Sequence, residues 1–158
     1  NCIDKLSIDS YNKTVINLIE GRVIDIISTK QDVEQFLSEL KGVLNSPTFN
    51  VDEDLDILLK KKNEKFSDPF TTFNTLQTLE FDRYDVRDQL EKLDVSNYVE
   101  TLVDNKGIGL PNFYVFGITI QEKEIYIKVK IRDKNNSKVF CISFHFAKFP
   151  LSNKKPYK

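Results

Sequence analysis

Two runs of strict alternation constrain this chain more than any other feature. Residues 125–132 read Ile-Tyr-Ile-Lys-Val-Lys-Ile-Arg, and residues 138–146 read Lys-Val-Phe-Cys-Ile-Ser-Phe-His-Phe. A period of two is the signature of a strand with one buried face. Ile125, Ile127, Val129 and Ile131 form the apolar face of the first, and Phe140, Ile142, Phe144 and Phe146 that of the second. Asn135-Asn136 lies between them and suits a two-residue hairpin loop, because asparagine tolerates positive φ. That loop sets Ile131 against Phe140, Val129 against Ile142 and Ile127 against Phe144. On the other face it sets Arg132 against Val139, Lys130 against Cys141, Lys128 against Ser143 and Tyr126 against His145. A slip by one residue would oppose apolar and polar faces, so the pattern selects its own register. Directly opposed side chains lie about 5 Å apart at Cβ, which makes Tyr126 and His145 predicted neighbours. His145 is the one histidine in the sequence.

The chain of 158 residues is long enough for one domain with a real core. No apolar run approaches the roughly 20 residues of a membrane span, and no signal-peptide pattern is present, so no membrane is expected and the expected compartment is the cytoplasm. Cys2 and Cys141 would allow one disulfide, but two free thiols in a reducing compartment is the favoured reading. No zinc-type spacing exists, and neither a metal nor a cofactor is expected. The net charge of −1 conceals a polarity: residues 96–158 hold eleven Lys and Arg against five Asp and Glu, whereas residues 1–95 hold twelve against nineteen. The basic part carries the alternating strands, an arrangement suited to a phosphate-bearing ligand.

Residues 13–28 read as two short strands around Glu20-Gly21, so residues 1–30 are taken as an N-terminal extension with hairpin character. Residues 31–158 are taken as one α+β domain. Gln31 to Leu44 follows helical spacing through Val33, Phe36, Leu37, Leu40, Val43 and Leu44, with Ser28 or Thr29 as cap. A second helix is expected over Asp52–Lys62, where Lys60-Lys61-Lys62 would complement the helix dipole. A third is expected to start at Asp68-Pro69, with others near Tyr84–Leu93 and Ser96–Val103. A strand over Phe113–Ile120 would precede the two alternating ones, giving a C-terminal antiparallel meander packed on helices. Asp82, Asp85 and Asp88, interleaved with Arg83 and Arg87, read as helix-surface ion pairs. Cys141 reads as a small side chain in a crowded sheet rather than a nucleophile.

The motifs Phe116-Gly117, Glu124-Ile125-Tyr126-Ile127-Lys128 and Cys141-Ile142-Ser143-Phe144-His145-Phe146-Ala147 together resemble the MqsR family of bacterial toxins. Tyr114-Val115-Phe116-Gly117, Phe81-Asp82-Arg83-Tyr84-Asp85-Val86 and Ser96-Asn97-Tyr98 are similar to its longer members. The likeness spans roughly residues 32–151. It implies a RelE-like α+β fold and a toxin of a type II toxin–antitoxin system, with mRNA as substrate and an antitoxin protein as partner. It further implies metal-independent cleavage of single-stranded RNA by 2′-hydroxyl attack. The family tyrosine falls on Tyr126, and the family lysine on the last strand falls on His145. Two family residues do not carry over: a glutamine would fall among Tyr114–Phe116, and a lysine falls on Glu100.

The residues themselves support the same chemistry. Cleavage of this kind needs a proton shuttle near neutral pH, the range in which histidine titrates. Tyr126, Lys128 and His145 are therefore the candidate catalytic residues, with Lys128 able to neutralise charge on the phosphate. Lys130, Arg132, Ser143 and Tyr114 complete the candidate RNA-binding set. A rival reading keeps the same surface as a non-catalytic module that binds RNA or an antitoxin.

Overall fold

The computed structural model describes residues 15–17, 25–133 and 138–158. The fold is α+β. Seven strands form one sheet: β1 (Val15–Asn17), β2 (Asp25–Ile27), β3 (Leu55–Ile57), β4 (Tyr98–Leu102), β5 (Phe113–Ile120), β6 (Lys123–Asp133) and β7 (Lys138–Phe146). Their spatial order is β1-β2-β4-β5-β6-β7-β3. The expected meander β5-β6-β7 is present and antiparallel. The sheet as a whole is mixed, because β3 runs parallel to β7 at its edge. At the opposite edge, β1 and β2 pair with each other, and β2 continues onto β4. The Asn135-Asn136 turn, the Glu20-Gly21 turn and Cys2 lie outside the described residues.

Four helices accompany the sheet among the described residues: α1 (Lys30–Leu44), α2 (Val51–Asp54), α3 (Thr72–Leu79) and α4 (Arg83–Glu91). The first follows the sequence pattern closely, with Thr29 accepting from the Asp32 amide and Val33, Phe36, Leu37, Leu40 and Leu44 buried. Each such side chain contributes about 1.5–3 kcal/mol by leaving water. They pack with Val86, Leu90, Ile125, Ile127, Val129, Ile131 and Phe144 into one core on one face of the sheet.

Three helix expectations are corrected. Residues 52–62 form a single helical turn followed by β3, and the lysine run lies in the loop beyond. α3 starts at Thr72 under a Thr71 cap, while Asp68 closes a turn by accepting from the Phe70 amide. Residues 95–97 are one 3-10 turn capped by Asp94, and 98–102 are strand β4. In α4, Asp82 and Asp85 form a reciprocal capping box; among the described residues only Asp88 of the triad pairs with an arginine, Arg87 at 3.1 Å.

The register of β6 and β7 is as expected from Ile125↔Phe146 through Tyr126↔His145 and Ile127↔Phe144 to Lys128↔Ser143. There β7 takes an extra residue, Ile142, and the next pairs are Val129↔Cys141, Lys130↔Phe140 and Ile131↔Val139. A bulge reverses the alternation as far as Ile131↔Val139, after which a second irregularity restores the expected register at Asp133↔Lys138. Cys141 and Val139 therefore enter the core in place of Ile142 and Phe140. Phe140 turns to the opposite face, where its ring meets Phe113 edge-on at 6.1 Å. β3 covers β7 only along Val139–Cys141. Beyond it, the Phe144 and Phe146 amides donate to the hydroxyls of Thr72 and Thr75, so α3 satisfies an edge that a strand would otherwise pair.

Candidate active site

The face of the sheet away from α1 holds the candidate site. Tyr126 and His145 stand side by side on adjacent strands, their rings stacked with centroids 5.2 Å apart and planes 14° from parallel. In the same cross-strand row is Gly117, opposite Tyr126. A Cβ there would lie 3.0 Å from Leu151 Cδ1 and 3.2 Å from Leu151 Cβ. The segment after β7 thus folds back over this row, and the Leu151 amide is held by Glu124 at 2.8 Å. The result is a cavity of about 260 Å³ whose lining includes Tyr126, His145, Glu100, Lys148, Phe149 and Lys154.

His145 Nδ1 lies 2.9 Å from the Phe146 carbonyl oxygen. A carbonyl can only accept, so Nδ1 carries the hydrogen and Nε2 is the nitrogen that exchanges a proton. Burial pulls the His145 pKa below its ordinary value, partly offset by the Phe146 carbonyl, and the Lys61 ammonium lowers it further. Burial pushes the Tyr126 hydroxyl well above the usual tyrosine range, and the Glu100 carboxylate adds to this. Tyr126 is therefore a neutral phenol, suited to stacking and hydrogen bonding rather than to service as an anionic base. Glu100 itself is pushed up by burial and then by Asp25.

Lys128 lies two pairs along from Tyr126, the next residue of β6 on this face, opposite Ser143. Its pKa is lowered by burial and then by Lys61, and its Nζ sits 4.7 Å from the Phe113 ring centroid. Ser143 is buried and accepts from Lys61 Nζ at 3.1 Å.

The structure separates the remaining candidates from this group. Lys130 is buried and bound to Asp104 at 2.6 Å, with its Nζ 4.6 Å from the Phe113 centroid. Arg132 pairs with Asp56 at 2.7 Å and lies over the Phe140 ring. Tyr114 opposes Val129 on the helix-covered face, stacked on Phe36 at 3.9 Å, so it does not share the site's surface. Cys141 is fully buried with its thiol pushed up to about 12 by desolvation, which removes it as a nucleophile at neutral pH.

Sequence reasoning missed Glu100 and Lys61 as site residues. Glu100 fell on a segment read as helix, although the aromatic and β-branched content of Tyr98-Val99-Glu100-Thr101 was a strand signal. Lys61 reaches the site across 82 positions of sequence, which no local pattern encodes. Among the described residues, no group of three or more histidine, cysteine, aspartate or glutamate side chains is placed to hold a metal ion. No helix among them is long and apolar enough to cross a membrane.

Compared with known protein families, curated proteins and solved structures, the chain matches none. The reading of its chemistry therefore rests on its own residues.

Proposed function

We propose that this protein is a metal-independent endoribonuclease that cleaves single-stranded mRNA, a toxin of the MqsR-like, RelE-fold kind held in check in the cytoplasm by an antitoxin protein. The observation that carries this reading is the stacked Tyr126–His145 pair, in one cavity with the Glu100 carboxyl. Glu100 accepts the proton of a 2′-hydroxyl, whose oxygen attacks the adjacent phosphorus. The bond from phosphorus to the 5′-oxygen breaks, and protonated His145 donates from Nε2 to that leaving oxygen. The products are a 2′,3′-cyclic phosphate and a 5′-hydroxyl. Lys128 and Lys61 supply positive charge beside the equatorial phosphate oxygens. The neutral phenol of Tyr126 holds the imidazole by stacking and offers a hydrogen bond to phosphate. Glu100 thus takes a base role at a position where the family has lysine.

The test is primer extension on a defined transcript with the purified chain, beside His145→Gln and Glu100→Gln. The expected outcome is discrete cuts by the unaltered chain, reduced at least a hundredfold by either substitution. Full activity in both variants would overturn the assignment.

A second reading keeps this surface as a non-catalytic module for RNA or an antitoxin; the pairing of Lys130 with Asp104 and of Arg132 with Asp56 neutralises two of the expected phosphate contacts and favours the antitoxin as what such a module binds. It requires binding of a protein partner or of RNA by the folded chain without any cleavage.

A further inference from the structure

The cavity beside His145 continues into a longer surface. Lys148 borders three hollows at once: the Tyr126–His145 cavity, one lined by Lys61, Lys62, Lys65 and Phe70, and one bordered by Phe70, Lys123 and Phe149. Phe149 lines both the first and the third. Large rings are left in water along this stretch, with Phe66 81% and Phe149 71% exposed. Cations accompany the aromatics: Lys60 Nζ lies 5.0 Å from the Phe66 centroid and Lys148 Nζ 6.0 Å from that of Phe70. Lys61, Lys62, Lys65 and Lys148 are all exposed. Three of the neighbouring carboxylates are engaged by the chain itself: Glu64 accepts from the Lys61 amide, Glu124 from the Leu151 amide, and Asp68 from the Phe70 amide through one oxygen while its other lies 4.0 Å from Lys148 Nζ. The lysine run has no helix terminus to serve, since it lies in a loop.

Exposed rings interleaved with lysines along a groove suit a ligand with repeating anionic charges and flat apolar faces, which is the chemistry of a single-stranded nucleic acid. We infer that this surface is an extended binding track for single-stranded RNA. Phe66 and Phe149 act as base-stacking platforms, and Lys61, Lys62, Lys65 and Lys148 as phosphate contacts leading the strand to the Tyr126–His145 cavity. The inference deepens the nuclease reading and rests on it for the choice of RNA.

The test uses the full chain carrying His145→Gln and fluorescence anisotropy with labelled oligoribonucleotides of about three and about twelve residues, plus a long abasic control. The long oligomer should bind at least tenfold more tightly than the short one. Phe66→Ala and Phe149→Ala should each weaken the long oligomer roughly tenfold, and the abasic control should lack this sensitivity. A Lys62→Glu/Lys65→Glu variant, altered only at exposed loop positions, should flatten the dependence of affinity on salt. Equal affinity for both lengths, or phenylalanine and lysine variants that bind as the parent does, would overturn the track. So would capture of an acidic peptide without RNA, which would make the surface a protein-docking site. Cleavage by the unaltered chain is scored separately. Stacking-dependent binding without cleavage keeps the track and removes the nuclease, and cleavage without length dependence does the reverse.

Discussion

At the scale of single residues, the environment of each titratable group decides its use. Burial raises the Glu100 pKa and lowers that of His145, so the two move toward each other. If Glu100 must be ionised and His145 protonated, the acid limb of the pH–rate profile shifts up and the alkaline limb shifts down. The expected result is a narrow bell centred below neutrality, with activity falling as His145 loses its proton. A pH series of initial cleavage rates checks this. His145→Lys, which installs a more basic donor, should extend the alkaline limb. The buried Lys130–Asp104 pair has a structural task. Removing one charge strands the other, so Asp104→Asn should cost about 3 kcal/mol in a denaturant melt. Lys130 holds the Asp104 carboxyl below its usual range. The folded state therefore binds that proton less readily than the unfolded one. The pair's contribution is fully present above the ordinary carboxylate pKa and is lost as pH falls through the lowered one.

At the scale of elements, turns and bulges set what the strands present. The β5–β6 connection is a two-residue turn in which Gln121 and Glu122 take φ values of 50° and 67°. Hairpin turns of this hand favour asparagine then glycine, which reach positive φ with little strain. The double change Gln121→Asn/Glu122→Gly should raise stability by about 1 kcal/mol, read as a higher midpoint in urea with an unchanged slope. The bulge at Ile142 shows where sequence reading stops. Alternation in Lys138–Phe146 is unbroken, and it correctly placed Tyr126 beside His145. One inserted residue then moved Phe140 and Cys141 to faces opposite those expected. Sequence carries no mark of that insertion, because its cause is the fit of two sheet faces, with Phe140 packing on Phe113 rather than on the helices.

At the scale of the whole molecule, the segment after β7 closes the structure. Leu151 is buried against Gly117, and Tyr157 stacks on Tyr98 at 5.9 Å while donating to the Ser28 carbonyl. These contacts tie the end of the described chain to the β2–α1 connection and supply one wall of the candidate site. Ending the chain before Leu151 should cost about 3 kcal/mol, combining a buried leucine and an aromatic stack. For a domain of this size that is a fall of roughly 10 °C in Tm, measurable by circular dichroism. Residues 152–158 read Ser-Asn-Lys-Lys-Pro-Tyr-Lys, a basic and polar run with no local pattern that marks an anchor. Its anchoring depends on Tyr157 finding a partner 59 residues earlier in the sequence, at Tyr98.

The sequence by itself determined the elements whose evidence is local. These are α1, with its cap narrowed to Ser28 or Thr29, the extent of β5, the antiparallel meander and the Tyr126–His145 pairing, because period, turn chemistry and capping act over a few residues. The tertiary structure alone decided the parallel edge strand β3, the strand identity of Tyr98–Leu102, the neutralisation of Lys130 and Arg132, and the entry of Glu100 and Lys61 into the site. Each of these rests on contacts between residues far apart in the chain, whose energy depends on where the whole sheet places them and not on the neighbours either residue has in sequence.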